Sequence, residues 1–362
     1  MKNYIPAQEH SLGNVPLETT MRYGVQQGTR KIPRKLRAKI RYIDLFCGIG
    51  GFRIATTQLC DTLGIESECV FSSDIDPYAR ESYKEHFGDY PSGDITKVDA
   101  RNIPNHDLLL AGFPCQPFSI IGNGHGFQDI RGTLFFDIAR ILKEKRPRGF
   151  VLENVKRLVN HKNGTTLDRI LTTLTEIGYS VEYKVLNALH YGLPQKRERV
   201  FIVGYYKPMR FPWPEKVETM TALSEILESE IDKKHYASSY IRKRRRARHK
   251  AKFFPSIWHE NKAGNICSYP YSCALRAGAS YNYLLVNGER RLTPREMLRL
   301  QGFPDTYKVV VNDSQIRKQA GNAVPVNLVR AVLESFIPIL VKKTQRKPFT
   351  RHDREVPAIT NR

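Results

Sequence analysis

From residue 40 to residue 206, short apolar runs alternate with segments whose apolar positions recur at helical spacing. The predicted strands are KIRYIDLF, ECVFSSDI, HDLLLAGF, GFVLENV and RVFIVGYY. The predicted helices are FRIATTQLCDTLG, PYARESYKEHFG, GTLFFDIARILKEK and TTLDRILTTLTEIG. Regular alternation of strand and helix is typical of an α/β protein, so we expect a doubly wound, mostly parallel sheet.

The alternation stops at FPWPEK, residues 211–216, where two prolines and two aromatic residues interrupt the pattern. We therefore expect a domain boundary there, followed by a smaller, loop-rich and basic module. An amphipathic segment then returns to pack on the first domain. The predicted organisation is a basic N-terminal arm at 1–39, a first domain at 40–212, a second at 213–318, the returning segment at 319–341 and a basic tail at 342–362.

The charge balance indicates a polyanionic partner. The chain has 58 Lys and Arg against 36 Asp and Glu, a formal charge of +22 and a pI near 9.8. The excess is concentrated in the two ends and in RKRRRARHKAK, residues 242–252, which has eight basic residues and no acid. Phosphate contact is the favoured interpretation of this run, with a solvated surface as the alternative.

Several protein classes are disfavoured. No run of 18 apolar residues occurs, and the N-terminus lacks the apolar region of a signal peptide, so we expect a soluble, intracellular protein. Six cysteines without a C-x-x-C pair fit neither a disulfide framework nor a zinc site, and no metal site is predicted. All except Cys115 are expected to behave as small buried apolar residues.

The stretch DLFCGIGGF, residues 44–52, predicts a nucleoside-binding turn between a strand and a helix. Glycines there let the backbone approach a ligand at the helix N-terminus, although many such turns carry glycine for geometry alone. Asp74 ends the next strand, where nucleoside-binding folds place the carboxylate that holds the ribose. Asp94 follows the next helix, in position for an adenine edge. The spacing is not G-x-G-x-x-G, which disfavours a dinucleotide or ATP.

The stretch GFPCQPFS, residues 112–119, places Cys115 between two prolines at the end of a buried strand. The carboxyl end of a parallel strand is where such sheets carry their chemistry, but a cysteine in a turn is often only a residue that fits. Glu153 ends the next strand in the apolar run FVLEN and needs a partner. Either it forms a salt bridge with Arg197 or Arg199, or thiol, carboxyl and arginines share one pocket.

Six short blocks of the sequence occur in a known order between Asp44 and Val326: DLFCGIGGFR, GFPCQPFS, LENV, QKRERV, RLTPREMLRLQGFP and QAGNAVPV. Together they resemble the DNA (cytosine-5)-methyltransferase family of the bacterial restriction-modification type, in which the blocks follow the same order. The resemblance implies a Rossmann-like S-adenosylmethionine-dependent methyltransferase fold with a target-recognition domain. It also implies methyl transfer to carbon 5 of cytosine, which protects host DNA from a cognate restriction endonuclease.

The resemblance assigns roles to individual residues. Cys115 would add to carbon 6 of cytosine, Glu153 would hydrogen-bond N3 and the exocyclic amine, and Arg199, with Arg197, would orient the base. The implied cofactor is S-adenosyl-L-methionine. The residues expected to contact it are Phe46, Gly48, Gly51, Asp74, Ile75, Asp94, Ile95 and Asn322, with Ile75 standing where the family often has tryptophan.

The substrate implied is double-stranded DNA with its target base flipped out of the helix. Residues 119–132 would form a mobile loop that closes over the DNA. The residues expected on the DNA are Gln116, Ser119, Arg244, Arg245, Arg246 and Arg276. In the recognition segment, Ala274-Leu275 stands about where the family has a Thr-Leu pair. We expect a cytoplasmic, nucleoid-associated monomer that needs no membrane and no stable protein partner.

The sequence disfavours three other functions. A tRNA cytosine-5 methyltransferase would use the same pocket, but its distinguishing pattern after the nucleophile is absent. An inactive DNA-binding regulator would not be expected to keep Cys115, Glu153 and Asn322. A cysteine hydrolase would need a histidine base in a matching motif, which the sequence lacks.

Overall fold

The computed structural model describes residues 38–114, 134–217 and 219–342. Its strands are β1 (Lys39–Leu45), β2 (Glu66–Ser73), β3 (Leu108–Gly112), β4 (Gly149–Val155), β5 (Ser180–Asn187), β6 (Gln195–Lys196), β7 (Glu198–Tyr205), β8 (Ile257–Glu260), β9 (Ile266–Tyr269), β10 (Ser272–Cys273) and β11 (Leu284–Val286). Its α-helices are α1 (Gly51–Leu63), α2 (Pro77–Phe87), α3 (Leu134–Lys145), α4 (Thr165–Glu176), α5 (Leu223–Ile226), α6 (Ser239–Arg248), α7 (Pro294–Leu300), α8 (Asp313–Asn322) and α9 (Val326–Lys342). Short 3₁₀ helices occur at Ile95–Lys97, Ala100–Asn102, Lys156–Leu158, Ala188–Tyr191 and Lys233–His235.

The main sheet has the strand order β2-β1-β3-β4-β7-β5. The β1–β2, β1–β3 and β3–β4 pairs are parallel, whereas β7 pairs antiparallel with both β4 and β5. The prediction of a mostly parallel sheet is confirmed. Because parallel strands end on the same edge, the residues that follow β1, β2, β3 and β4 come together there.

Alternate residues of the strands pack into separate cores on the two sheet faces. In β3, Leu108 and Leu110 face one core with α1 and α9, and Leu109 and Ala111 face the other with α3 and α4. Both cores consist of fully buried aliphatic and aromatic side chains. Helices on both faces confirm the doubly wound architecture.

Local sequence explains the helix that follows β2. The carboxylate of Asp76 accepts hydrogen bonds from the backbone N–H groups of Tyr78 and Ala79, and Pro77 occupies the first helical position. Gly88 ends the helix in the left-handed conformation. These are the expected signals for the start and end of a helix. They fix the start of α2 at Asp76, two residues after Asp74.

The C-terminal helix α9 belongs to the core of the first domain. It packs on α1, and its Leu328, Val332 and Phe336 are fully buried. By length and composition alone, the stretch Asp313–Val341 could cross a membrane. It consists of two helices, however, and burial of the apolar side of α9 explains its hydropathy as that of a core helix.

The sequence pattern does not predict strand β5. Its sequence SVEYKVLN lies at the edge of the sheet, and most of its side chains are half-buried or exposed, so no clear apolar run marks it. Beyond residue 213, a three-stranded sheet β11-β8-β9 and a third apolar cluster form the basic, loop-rich region. The described residues, from 38 to 342 with their two gaps, cluster as one compact unit, so the predicted domain boundaries stay a prediction.

Candidate active site and cofactor site

The turn between β1 and α1 is tied to the end of β2. The Gly48 N–H donates to Asp74 Oδ2 (2.7 Å), and the Asp76 N–H donates to Asp74 Oδ1 (2.8 Å). Burial raises the pKa of Asp74, and these two backbone hydrogen bonds oppose the rise. Each carboxylate oxygen keeps a further lone pair, so Asp74 can hold the turn and still accept ribose hydroxyls.

The glycines of this turn serve different purposes. Gly48 has φ +52°, and a Cβ placed on it would meet nothing within 4 Å. Its backbone therefore lines open space, as a ligand-binding turn requires. A Cβ on Gly51 would lie 2.6 Å from Val324 Cγ2, so close packing already explains that glycine. A contact of Gly51 with the methionine remains a prediction.

Glu153 is buried at the end of β4 and forms an ion pair with Arg199, with 2.7 Å between Oε1 and Nε. Burial raises the pKa of Glu153, while Arg199 and then Arg197 act to lower it. A raised pKa makes this carboxyl group easier to protonate than a free one, and once protonated it can donate a hydrogen bond to a base. The salt bridge with Arg199 is confirmed. The alternative, in which the Cys115 thiol shares a pocket with these groups, stays a prediction, because Cys115 lies outside the described residues.

The loop that carries the predicted nucleophile begins beside this carboxyl group. Gly112 is the register partner of Glu153 in the β3–β4 pair, and a Cβ on Gly112 would lie 3.7 Å from Glu153 Oε2. The Asn154 side chain donates to the carbonyl of Phe113 (2.9 Å) and fixes the start of the loop. Cys115, Gln116, Ser119 and residues 119–132 lie outside the described residues.

Arg197 differs from its prediction. It is 1% exposed, and its guanidinium donates to the carbonyls of Leu275 (2.8 Å), Gly321 (2.9 Å) and Ala323 (2.7 Å). These bonds join the β6–β7 region to Leu275, to the end of α8 and to the turn that follows it. Arg197 therefore positions the parts of the site, and Arg199 is the arginine that contacts Glu153.

Comparison with known proteins identifies the family. The profile described as "C-5 cytosine-specific DNA methylase" matches residues 40–337. The chain is 53% identical over 292 residues to the Type II methyltransferase M.NgoBI of Neisseria gonorrhoeae, covering 80% of this chain and 90% of the relative. It is 51% identical over 307 residues to M.HaeII of Haemophilus aegyptius, covering 84% and 95%. The chain belongs to the C-5 cytosine-specific DNA methylase family.

Solved structures agree on the fold. The Entamoeba histolytica methyltransferase EhMeth matches with a TM-score of 0.65 at 16% identity, over 84% of this chain and 99% of that one. Dnmt2 of S. pombe matches with a TM-score of 0.63 at 20% identity, over 85% and 100%. The Rossmann-like methyltransferase fold is thus confirmed. The family resemblance and the implied enzyme class are confirmed as well: the protein is a DNA (cytosine-5)-methyltransferase that uses S-adenosyl-L-methionine.

The residues expected around this cofactor are brought to one edge of the sheet. Phe46 has a left-handed backbone (φ +54°) in the turn after β1, and Ile75 is 73% exposed just beyond β2. The Asp94 carboxylate accepts from the N–H and hydroxyl of Thr96 through Oδ1, leaving Oδ2 available. Asn322 is exposed at the end of α8. The open space at Gly48 and the fixed carboxylate of Asp74 fit the methyltransferase's nucleoside cofactor.

The side chain of Ile95 is buried, so its predicted contact with the cofactor is limited to its backbone and stays a prediction. Its side chain is 3% exposed and belongs to the apolar cluster on the α3 side of the sheet, because it anchors the short 3₁₀ helix that Asp94 caps. The Ile95 carbonyl also accepts a hydrogen bond from Arg140 (2.6 Å). The side chain therefore cannot face the adenine, and only backbone atoms of Ile95 are left for the cofactor.

Within the basic run, the structure contradicts the predicted DNA contact of Arg245, while those of Arg244 and Arg246 stay predictions. Arg245 is fully buried, pairs with Glu260 (2.9 Å) and donates to the carbonyl of Asn282, so it cannot reach DNA phosphate. Arg244 pairs with the same carboxylate, and Arg246 pairs with Glu289 (2.5 Å). Both glutamates lie outside residues 242–252, so counting charges along the run could not reveal these ion pairs.

Other cations of the same region remain exposed. Lys243, Arg248, Lys250 and Lys252 lie on α6 and the loop that follows, and none of them forms an ion pair among the described residues. Arg276 is exposed and lies over the ring of Tyr283, with 4.9 Å from the guanidinium carbon to the ring centre. These side chains are free to meet phosphates.

Buried polar residues that the sequence does not single out also hold the site together. Gln195 is fully buried, donates to the carbonyl of Leu300 (2.8 Å) and accepts from the N–H of Leu275 (3.0 Å). Asn187 Oδ1 accepts from the N–H of Arg197 (3.1 Å). Their contacts span up to 105 positions in the chain, and only their buried polar character could have suggested them.

Proposed function

We propose that this protein is a sequence-specific methyltransferase of double-stranded DNA that acts through Cys115. The observation that carries the proposal is the Glu153 carboxyl group, buried at the sheet edge one strand from the start of the Cys115 loop and paired with Arg199. That arrangement supplies an acid and a cation where a flipped cytosine would meet a thiol.

In the proposed reaction the Cys115 thiolate forms a bond to carbon 6 of cytosine. Glu153 shares its proton with N3, so the ring becomes an enamine without building up a full negative charge. Arg199 holds the carboxyl group and faces the base, and its charge favours the thiolate. S-adenosyl-L-methionine supplies the methyl group for carbon 5. Loss of the carbon 5 proton then releases the thiol and leaves 5-methylcytosine.

Cys47 is not a competing nucleophile. It lies in the β1–α1 turn near the cofactor site, but it is buried, and burial raises its pKa well above that of a free thiol. A thiol that stays protonated is a poor nucleophile. Within the six cysteines, Cys115 is the residue whose sequence context fits the reaction.

The cofactor would be held by the residues at the sheet edge. Asp74 would accept the ribose hydroxyls, Asp94 the adenine amine, and the backbone of Gly48 would face the methionine portion. Asn322 would close the site from α8. The glycine turn has the required open space, and both carboxylates keep free lone pairs.

The proposed biological role is protection of host DNA from a cognate restriction endonuclease. Its support is the similarity to relatives named Type II methyltransferases. We infer that the protein acts as a monomer in the cytoplasm, on DNA, with Arg276 and the exposed lysines of residues 243–252 among its contacts. A tRNA substrate has no specific observation in its favour.

Bisulfite sequencing tests the proposal. DNA from a methylation-deficient host that expresses the protein is converted and sequenced, beside the matched variant Cys115→Ser. We expect protected cytosines in one short motif and none with the variant. Complete conversion of the wild-type sample would refute the DNA methylation, and protection with Cys115→Ser would refute the role of Cys115.

A further inference from the structure

A cavity of about 250 Å³ lies in the basic region, outside the catalytic pocket. It is formed by the loop after Leu275, the segment after β11 and the start of α8. Four cationic side chains line it, together with two tyrosines. We call it the arginine crevice, defined by Lys234, Arg276, Arg291, Arg317 and Tyr281.

The charge in the crevice is unbalanced. Asp313 is the one carboxylate among its lining residues, and it is shared by Lys234 (3.5 Å) and the ring of His235 (4.0 Å). Within the described residues no acid pairs with the three arginines. Burial lowers the pKa of His235; the charge of Asp313 opposes this, and the charges of Lys234 and Arg291 lower the pKa further. The crevice is therefore a site of positive potential.

The arginines retain unused hydrogen-bond donors that aromatic rings hold in place. Arg317 and Arg291 lie over the ring of Tyr281, at 4.5 Å and 5.3 Å from guanidinium carbon to ring centre, and Arg276 lies over Tyr283. Arg317 donates to the Ala279 carbonyl (3.0 Å), and its buried Nε has no partner in the described part of the chain. A guanidinium has five N–H donors, so most remain available.

We propose that the arginine crevice binds a phosphate group. Planar guanidinium groups match phosphate oxygens in pairs, and rings that hold them in place reduce the conformational entropy lost on binding. The phosphate is either a phosphodiester of the DNA substrate or part of a free ligand. The DNA source rests on the proposed function, because it needs DNA to lie along the recognition segment that contains Arg276.

Two experimental arms distinguish the sources. In the first, duplexes containing the methylated motif carry a single neutral methylphosphonate at each backbone position in turn. Wild-type affinity should fall about tenfold at one position, as expected for one charge-assisted contact, and Arg317→Gln should be insensitive there. In the second, inorganic phosphate is titrated and followed by ³¹P NMR, with saturable binding expected for the wild type and lost in Arg317→Gln.

Arg291→Gln provides a second variant, and Arg101→Gln is the matched control, because Arg101 is an exposed arginine paired with Asp99 in the first domain. A response in the first arm assigns the crevice to DNA, and one in the second arm alone assigns it to a free phosphate ligand. If the protein methylates DNA normally but responds in neither arm, phosphate binding in the crevice is refuted and the proposed function stands. If no DNA is methylated, the proposed function fails, and the titration alone decides the crevice.

Discussion

Replacing Asp44 with asparagine should change the pH dependence of stability in a calculable way. Asp44 lies near the C-terminal end of β1, is fully buried, and neither carboxylate oxygen has a hydrogen-bond partner in the described part of the chain. Burial raises its pKa from 3.8 to about 8, aided by the nearby Asp74. Arg53 opposes the rise, but it already pairs with Asp89 (2.7 Å).

The direction and size of the pH effect on stability follow from proton linkage. A folded-state pKa above the unfolded value means that the folded state keeps the proton, so its stabilising effect is complete below about pH 4. This effect is lost as the pH rises to about 8. The difference between a pKa of 3.8 and one of about 8 is about 4, which corresponds to a change in the free energy of unfolding of about 5 to 6 kcal/mol over the whole pH range. Between pH 5 and pH 7.5 the slope is about 1.4 kcal/mol per pH unit.

The assay is urea unfolding of the wild type and Asp44→Asn across that range. Asparagine keeps the shape of the side chain without a titrating proton, so the stability difference between the two proteins isolates this group. The variant should gain about 3 kcal/mol relative to the wild type from pH 5 to pH 7.5. A difference that stays constant with pH would refute the conclusion that Asp44 is protonated in the folded protein.

The other predictions concern catalysis and DNA binding. Glu153→Gln should lower the single-turnover methylation rate about 10² to 10⁴-fold with cofactor affinity retained, and a loss below tenfold would contradict its role as the acid. Arg245→Met should lower the free energy of unfolding in urea by about 1 to 3 kcal/mol, because the Asn282 carbonyl loses its donor while Glu260 keeps Arg244 as a partner; an unchanged free energy would contradict the structural role of Arg245. Lys250→Ala with Lys252→Ala should leave stability unchanged and lower the slope of log affinity against log salt by about 1 per phosphate contact, and an unchanged slope would show that these lysines do not contact phosphate.

The sequence predicts the central elements of the fold because their signals are local. Apolar runs mark β1, β3, β4 and β7, and Asp76, Pro77 and Gly88 delimit α2. Strand β5 carries no such signal, because only one side of it has a neighbouring strand and its side chains are mostly half-buried or exposed. Its position depends on pairing with β7, which is a tertiary interaction.

The candidate site likewise contains some residues that the sequence predicts and others that depend on tertiary contacts. The glycine turn, Asp74 and Glu153 were found from their places at strand ends, which the topology brings to one edge of the sheet. The partners of Arg197 and Arg245 were not found, because carbonyl groups more than a hundred residues away and the carboxylate of Glu260 decide where those guanidiniums lie. Sequence charge alone cannot separate an arginine that binds DNA from one that holds the fold.

The central claim is covalent catalysis by Cys115 on cytosine, and trapping the covalent adduct tests it most directly. A duplex with 5-fluorocytosine at the methylated position is incubated with the protein and S-adenosyl-L-methionine, because fluorine at carbon 5 prevents the proton loss that releases the thiol. Mass spectrometry should find one duplex strand per protein, attached to the peptide that contains Cys115, and no adduct with Cys115→Ser. A wild-type protein that methylates the ordinary duplex but forms no adduct, or forms it at another residue, would contradict the account.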